Sequence, residues 1–377
     1  MGKKTTAGDP MAPSAIDHIN LEEQSWALLT TNMGLEEIVV NEARRRLQAE
    51  GFEGLYVPTP LGYGGHVAVG LSLLWEEWAP IARQMRSIHH IFRLLGVADL
   101  VADQPQHGIV EMVTNLDIPG MGPKTPFRVT SRRSGQHDFS SMDVQRWAGA
   151  VLAQRYGAKV ALQDFQYNVR VDVFDSRVVC SLQQTRRSLS KRYWRVYQPR
   201  AGLKGVMAYA LLQWTGFDEG AKGALLDPFC GSASILIEAA QVFPHLSLVG
   251  VDLDPDAVAG ARLNIADLGL QQRIEIHQGD ARRLTGLLPQ QRFDALVANP
   301  PFGKALGRHI DFHHLYSRFL EQAYALLEAQ GRVVLLVGKR NAFSKAFRGY
   351  KDKFRQLAMR AVETGGVYPY IFVLERR

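Results

Sequence analysis

Leu225-Leu226-Asp227-Pro228-Phe229-Cys230-Gly231-Ser232-Ala233-Ser234 sets a carboxylate and a tight glycine turn between an apolar strand end and the helical pattern Ser232–Val242. In an open α/β sheet such a junction lies outside the carboxyl end of a strand, where ligands bind. A pyrophosphate loop would carry Gly-x-Gly-x-x-Gly, and only Gly231 is present, so the loop is poorly suited to a dinucleotide. Cys230 has no activating base beside it and reads as a packing residue.

Strand and helix patterns alternate outward from that loop. Ala224–Leu226, Leu246–Val251, Arg273–His277, Phe293–Ala298 and Arg332–Val337 are short apolar or alternating runs. Pro255–Leu268 and Phe312–Leu327 are helical patterns between them, and Gly231, Gly269 and Gly331 supply chain reversals. Ala358–Glu363 and Tyr368–Glu375 flank Thr364-Gly365-Gly366 and predict an antiparallel hairpin on the sheet edge. The expectation is an α/β, doubly wound domain of about seven strands.

Two further acids follow successive strands. Asp252, in Gly250-Val251-Asp252-Leu253-Asp254, is placed to accept from both hydroxyls of a ribose. Asp254, ahead of Pro255, reads as a helix N-cap. Asp280, in Gln278-Gly279-Asp280-Ala281, is placed to accept from an adenine amino group. Together with Asp227 they suit a nucleoside bearing ammonium and sulfonium groups and no phosphate, as S-adenosylmethionine does.

Asn299-Pro300-Pro301-Phe302 follows the fourth strand. An aromatic or amide NH2 is a poor nucleophile because its lone pair is delocalised. The Asn299 side-chain carbonyl and the Pro300 main-chain carbonyl can each accept one amino hydrogen, and proline fixes φ while donating nothing itself. Phe302 offers a flat face for a planar group. Positioning and polarisation then do most of the work. A base inside a duplex must first be extruded, at a cost of a few kcal/mol.

The N-terminal half differs. Trp26–Thr30, His66–Gly70 and Ile91–Leu95 are strand patterns, with helices over Gly34–Ala49 and Leu73–Met85. A second α+β unit begins near Val101, with strands Phe127–Ser131, Asn168–Phe174 and Val178–Leu182 and a helix over Ser141–Arg155. The division expected is a disordered tail over 1–23, modules over 24–100 and 101–185, a basic linker over 186–206, and the doubly wound domain over 207–377. Met1-Gly2 fits a loose acylation pattern that arises readily by chance.

Charge is concentrated here. The chain of 377 residues carries a net +7, yet Val101–Ala210 alone holds 16 Lys/Arg against 8 Asp/Glu, a net +8. From Ser176 to Phe217 no acid occurs. Arg186, Arg187, Lys191, Arg192, Arg195, Arg200 and Lys204 interleave there with Tyr193, Trp194 and Tyr197. Such a mixture can neutralise phosphates and stack on bases, though aromatics packed inward are the alternative. Arg132-Arg133, at a strand end, reads as a further phosphate contact.

Asp227-Pro-Phe-Cys-Gly-Ser, Val251-Asp252-Leu-Asp, Gly279-Asp280 and Asn299-Pro-Pro-Phe resemble motifs I to IV of class I amino-methyltransferases. Phe127-Arg128-Val129, Ser140-Ser141-Met142-Asp143, Asn168-Val169-Arg170-Val171-Asp172 and Tyr193-Trp194-Arg195-Val196 are similar to a THUMP module behind a ferredoxin-like domain. The resemblance is to the THUMP-domain RNA guanine-N2-methyltransferases and spans roughly Glu23 to Arg377. It implies a Rossmann-like catalytic domain, S-adenosylmethionine held by Asp227, Phe229, Gly231, Asp252, Leu253, Asp280, Ala281 and Asn299, and catalysis at Asn299, Pro300 and Phe302. It also implies an RNA substrate, with transfer RNA preferred over ribosomal RNA. Two positions depart from the family's pattern: Ala233 stands where Gly is common, and Gly205 where Pro often follows Lys204.

Other classes fit less well. Methylation of DNA adenine or of a protein glutamine would use the same Asn-Pro-Pro pocket, but neither accounts for the basic half. An RNA-binding protein with an inactive catalytic domain has no need of three intact acids. His89-His90 and His313-His314 are adjacent pairs, which do not share a helix face as metal ligands would, so no metal is expected. Lys304, Arg308 and His309 are candidates for a phosphate clamp or proton relay. Two cysteines and the lack of a long apolar run point to a cytoplasmic protein without a disulfide framework or membrane span. No obligate protein partner is expected.

Overall fold

The computed structural model describes Ile19, Leu21 and residues 24–193, 195–199, 202–303 and 310–377. Most of the tail, with Met1-Gly2, lies outside the described residues, as do Trp194, Arg200, Lys304, Arg308 and His309. The chain divides into two compact units, one of 1–31 and 39–189 and one of 32–38 and 190–377.

The first unit is built on one sheet. Its strands are β1 (Ser25–Thr30), β2 (Leu55–Pro58), β3 (His66–Leu71), β4 (His90–Asp99), β5 (Phe127–Thr130), β6 (Arg133–Ser134), β7 (Tyr167–Phe174) and β8 (Arg177–Gln183). The helices are α1 (Glu36–Ala49), α2 (Trp75–Arg83), α3 (Pro105–Asn115) and α4 (Ser141–Tyr156). Strand order is β2-β3-β1-β4-β8-β7-β5, with β6 beside β7. The expected modules 24–100 and 101–185 are therefore not separate sheets: β4 pairs antiparallel with β1 on one side and with β8 on the other. The physical reason is the length of β4. Its ten residues run on past Leu95 and offer a free edge to the second hairpin. α4 is well specified, since Ser140 and Asp143 form a reciprocal capping box and Gly157 ends the helix at φ +61°.

The second unit carries β9 (Gly223–Asp227), β10 (Leu246–Asp252), β11 (Ile274–Gln278), β12 (Phe293–Ala298), β13 (Leu327–Val337), β14 (Phe354–Ala361) and β15 (Tyr370–Arg376). Its helices are α5 (Gly205–Gln213), α6 (Ser234–Val242), α7 (Pro255–Asp267), α8 (Leu284–Leu287), α9 (Phe312–Leu326) and α10 (Arg340–Phe347). The order β11-β10-β9-β12-β13-β15-β14 gives the seven strands expected, with β13–β15 and β15–β14 antiparallel. β12 shows why its sequence is a continuous apolar run. Ala295 and Val297 enter the core under α5 and α6, and Leu296 and Ala298 enter the core under α9 and α10. The antiparallel hairpin lies on the sheet edge as expected, but its first strand starts at Phe354, four residues before the expected Ala358. β14 ends at Ala361, and Gly365 and Gly366 turn with φ of +60° and +79°.

The linker expected over 186–206 is not free. Leu189 N–H donates to the His89 carbonyl in the first unit, and the unit break follows it directly. Beyond the break Tyr193 and Leu203 pack on the catalytic core. Gly205 opens α5 so close to this segment that a Cβ there would stand 3.1 Å from the Ser190 carbonyl oxygen and 3.4 Å from Arg192 Nη2. That crowding is a physical account of glycine in place of proline.

Candidate active site

Four neighbouring strands deliver the motif residues to one end of the sheet. Asp227 ends β9 and Asp252 ends β10, Asp280 follows β11 by two residues, and Asn299 follows β12 directly. β9 and β12 are adjacent and parallel, and the chain order reverses between them, so Asp227 and Asn299 flank the switch point where open sheets bind ligands.

The loop after β9 is cross-linked to the next strand. Asp252 Oδ2 accepts from Gly231 N–H at 2.8 Å and Oδ1 from Asp254 N–H at 3.0 Å. Each oxygen keeps a further lone pair for a hydroxyl. Gly231 turns at φ +51°, and a Cβ on it would meet nothing within 4 Å, so the loop is open above it. Ala233 takes φ +63° at the start of α6. The family's glycine would adopt that backbone freely, whereas alanine there costs about 1–2 kcal/mol. Asp254 caps α7 by accepting from Asp256 N–H at 3.0 Å, as expected.

Asp227 is buried, and its Oδ1 accepts only from Phe229 N–H among the described residues. Burial pushes its carboxyl well above the ordinary carboxylate range, and the neighbouring Asp252 adds to this. A cation placed beside it would restore the charge. The ammonium and sulfonium of S-adenosylmethionine meet that need, so the residues present fit the group. Phe229 is half-buried, its ring 5.8 Å from Phe319. Leu253 is 62% exposed and offers an open apolar side chain beside Asp252.

Asp280 has a partner within the chain. Both its oxygens accept from the Arg282 side chain, with Nη2 2.7 Å from Oδ2 and Nε 3.0 Å from each oxygen, and Arg282 N–H donates to Oδ1 at 2.9 Å. The Arg282 guanidinium holds this carboxyl below its usual range. An adenine amine there must share Asp280 with Arg282. Ala281, expected at the cofactor, is 4% exposed.

The Asn299-Pro300-Pro301-Phe302 segment carries the most telling atom. Asn299 Oδ1 is buried and has no hydrogen-bond partner among the described residues. An acceptor in that condition costs about 1–3 kcal/mol, which a bound amine would recover. Pro300 is buried beside it and Phe302 is half-buried. The Phe302 ring lies against Gly338, where a Cβ would stand 2.5 Å from its Cγ. Lys339, next to Gly338, opens α10 with a cation, where helix starts disfavour positive charge.

The basic residues divide. Arg132, Arg186, Arg187, Lys191 and Lys204 are exposed. Arg133 is half-buried, donating to the Gly135 carbonyl and meeting His137 Nδ1 at 3.0 Å. Arg192 is bound to buried Glu238, and Arg195 Nη2 donates to the Leu203 carbonyl at 2.8 Å. These two face the protein, which corrects their assignment to RNA. Tyr193 also turns inward, its hydroxyl donating to Glu238 Oε2, and the Tyr197 ring covers Gly260. Among the described residues no group of three or more metal-ligating side chains forms, and no helix is long and apolar enough to cross a membrane.

Comparison with known proteins identifies the domains of the chain. A family model described as an RMKL-like methyltransferase domain matches residues 192–369, and a THUMP domain model matches 107–183. The chain is 35% identical over 356 residues to a tRNA (guanine(6)-N2)-methyltransferase of Thermus thermophilus, covering 93% of this chain and 99% of that protein. A U6 snRNA (guanine-N(2))-methyltransferase of Bos taurus is 31% identical over 217 residues, covering 56% of this chain and 41% of that one. The crystal structure of TrmN from Thermus thermophilus superposes with a TM-score of 0.80 at 32% identity, covering 94% of this chain and all of that one. The chain belongs to the THUMP-domain family of S-adenosylmethionine-dependent RNA guanine-N2-methyltransferases.

Proposed function

We propose that the protein methylates the exocyclic N2 of a guanosine in transfer RNA, the guanosine at position 6. The observation that carries this reading is the buried, partnerless Asn299 Oδ1 at the switch point. The relative sharing nearly the whole chain is named for that position, and the U6 snRNA relative aligns over a little more than half of it.

In this reading Asn299 Oδ1 and the Pro300 carbonyl accept the two hydrogens of the guanine amine. That orients the nitrogen lone pair and favours departure of one proton as the amine gains positive charge. Phe302 stacks on the guanine ring. Asp227, Asp252, Asp280 and the open loop at Gly231 hold S-adenosylmethionine, with Phe229 and Leu253 as its apolar walls. When bound, that molecule supplies an electrophilic methyl group. The first unit holds the RNA, its modules 24–100 and 101–185 acting together. Both cysteines are free and buried, which suits a reducing cytoplasm.

The test incubates the protein with labelled S-adenosylmethionine and separate pools of tRNA, rRNA, small nuclear RNA, DNA and protein. Label in tRNA as N2-methylguanosine, mapped to position 6, is the expected result. Label in another pool, or on another base, overturns it.

A further inference from the structure

The carboxyl end of β13 carries Gly338 and Lys339 beside the catalytic segment. Gly338 is pressed against the Phe302 ring. Gly303 turns at φ +73°, and a Cβ on it would stand 3.1 Å from Lys339 Cε and 2.8 Å from the Phe312 ring. The Lys339 stem therefore lies directly over the residue that follows Phe302. Its ammonium sits 5.7 Å from the centre of the Phe312 ring.

The surroundings of that ammonium are unusual. Lys339 is exposed, and no carboxylate pairs with it among the described residues. It occupies the N-cap of α10, with Arg340 next. Two cations at the positive end of a helix oppose the helix dipole, an arrangement relieved by an anion. Arg340 is turned aside, its guanidinium 4.8 Å from the centre of the Tyr370 ring and its Nη1 3.4 Å from the Tyr370 hydroxyl. Among the described residues, Lys339 is left as a cation standing over Gly303.

A nucleotide extruded onto Phe302 brings its flanking phosphates with it. Lysine is a compact point charge on a flexible stem, suited to a phosphate oxygen. We propose that Lys339 holds a phosphodiester flanking the target nucleotide and so positions the base on Phe302. This rests on the RNA reading above and extends it to a residue outside the four motifs.

The test uses full-length protein and tRNA assembled with a single methylphosphonate, which is uncharged, on either side of the mapped target guanosine. Lys339→Gln on ordinary tRNA should lower kcat/KM by about 10- to 100-fold, as removal of a charged hydrogen bond does, with S-adenosylmethionine binding unchanged. For wild type, one of the two methylphosphonates should give a similar loss, and Lys339→Gln should add nothing to it. Lys339→Arg should restore part of the activity. Independent, multiplying losses at both phosphates overturn the proposal, as does weakened S-adenosylmethionine binding in Lys339→Gln. Methylation of ordinary tRNA by wild type in the same series keeps the underlying function separate from this pairing.

Discussion

The Arg192 guanidinium is clamped on the Glu238 carboxylate, with Nη2 3.0 Å from Oε1 and Nε 3.2 Å from Oε2, and Glu238 has no solvent exposure. The Tyr193 hydroxyl donates to the same Oε2 at 3.1 Å. Glu238 lies on α6, the helix that leaves the Asp227 loop, so the basic segment is anchored to the cofactor half of the sheet. Breaking such a pair from one side leaves a buried charge, at about 3–5 kcal/mol. Arg192→Ala should therefore destabilise the second unit by that order in urea unfolding. An unchanged midpoint would show that the pair contributes nothing.

The exposed cations should behave in the opposite way. Replacing Arg186, Arg187 and Lys191 together is expected to leave stability unchanged and to weaken tRNA binding. The slope of log K against log salt should also become shallower, by up to about 0.7–0.9 for each phosphate no longer neutralised. Filter binding over a salt series measures both. Equal affinity and equal slope would remove these residues from the RNA surface.

Asn299→Ala removes an acceptor that the folded chain leaves unsatisfied. Methyl transfer should fall by at least about 100-fold, the scale of losing one preorganised polar group at a reacting centre. Calorimetric binding of S-adenosylmethionine should persist. Loss of that binding would move Asn299 from the amine to the cofactor.

Asp227 should make the ligand-free protein sensitive to pH. Burial raises its carboxyl well above the ordinary carboxylate value. The folded chain then keeps a proton that the unfolded chain has released. Stability is greatest below the ordinary carboxylate value and declines as pH rises through the raised one. Asp227→Asn should remove that decline. In wild type a cationic ligand favours the ionised form, so binding should release a proton and tighten with rising pH across the same window. Calorimetry in two buffers of different ionisation enthalpy detects the proton, and equal heats would contradict the pairing.

The catalytic sheet was legible because its central parallel strands are largely buried on both faces, leaving short apolar runs that glycines punctuate, while the edge strand β11 alternates. Asp227, Asp252 and Asn299 were legible because they follow such runs directly. What escaped has identifiable causes. β2 is a four-residue edge strand. α3 begins with Pro105 and contains Gly108, which weaken its pattern. α10 opens with cations where acids are usual. The first residues of β14, before Ala358, were missed because a bulge between Gln356 and Ala358 blurs the alternation. The inward turn of Arg192 and Tyr193 had no periodicity to announce it, because they lie in an irregular segment whose partner, Glu238, is 46 residues away.

The strand shared by the two N-terminal modules has one more consequence. Because β4 is hydrogen-bonded to β1 and to β8, Leu55 at one edge and Phe127 near the other are separated by six interstrand steps of about 4.8 Å. The spacing of the two modules is therefore set by main-chain pairing along one sheet, with a single register shift between Leu94 and Gly96, rather than by the docking of two separate bodies.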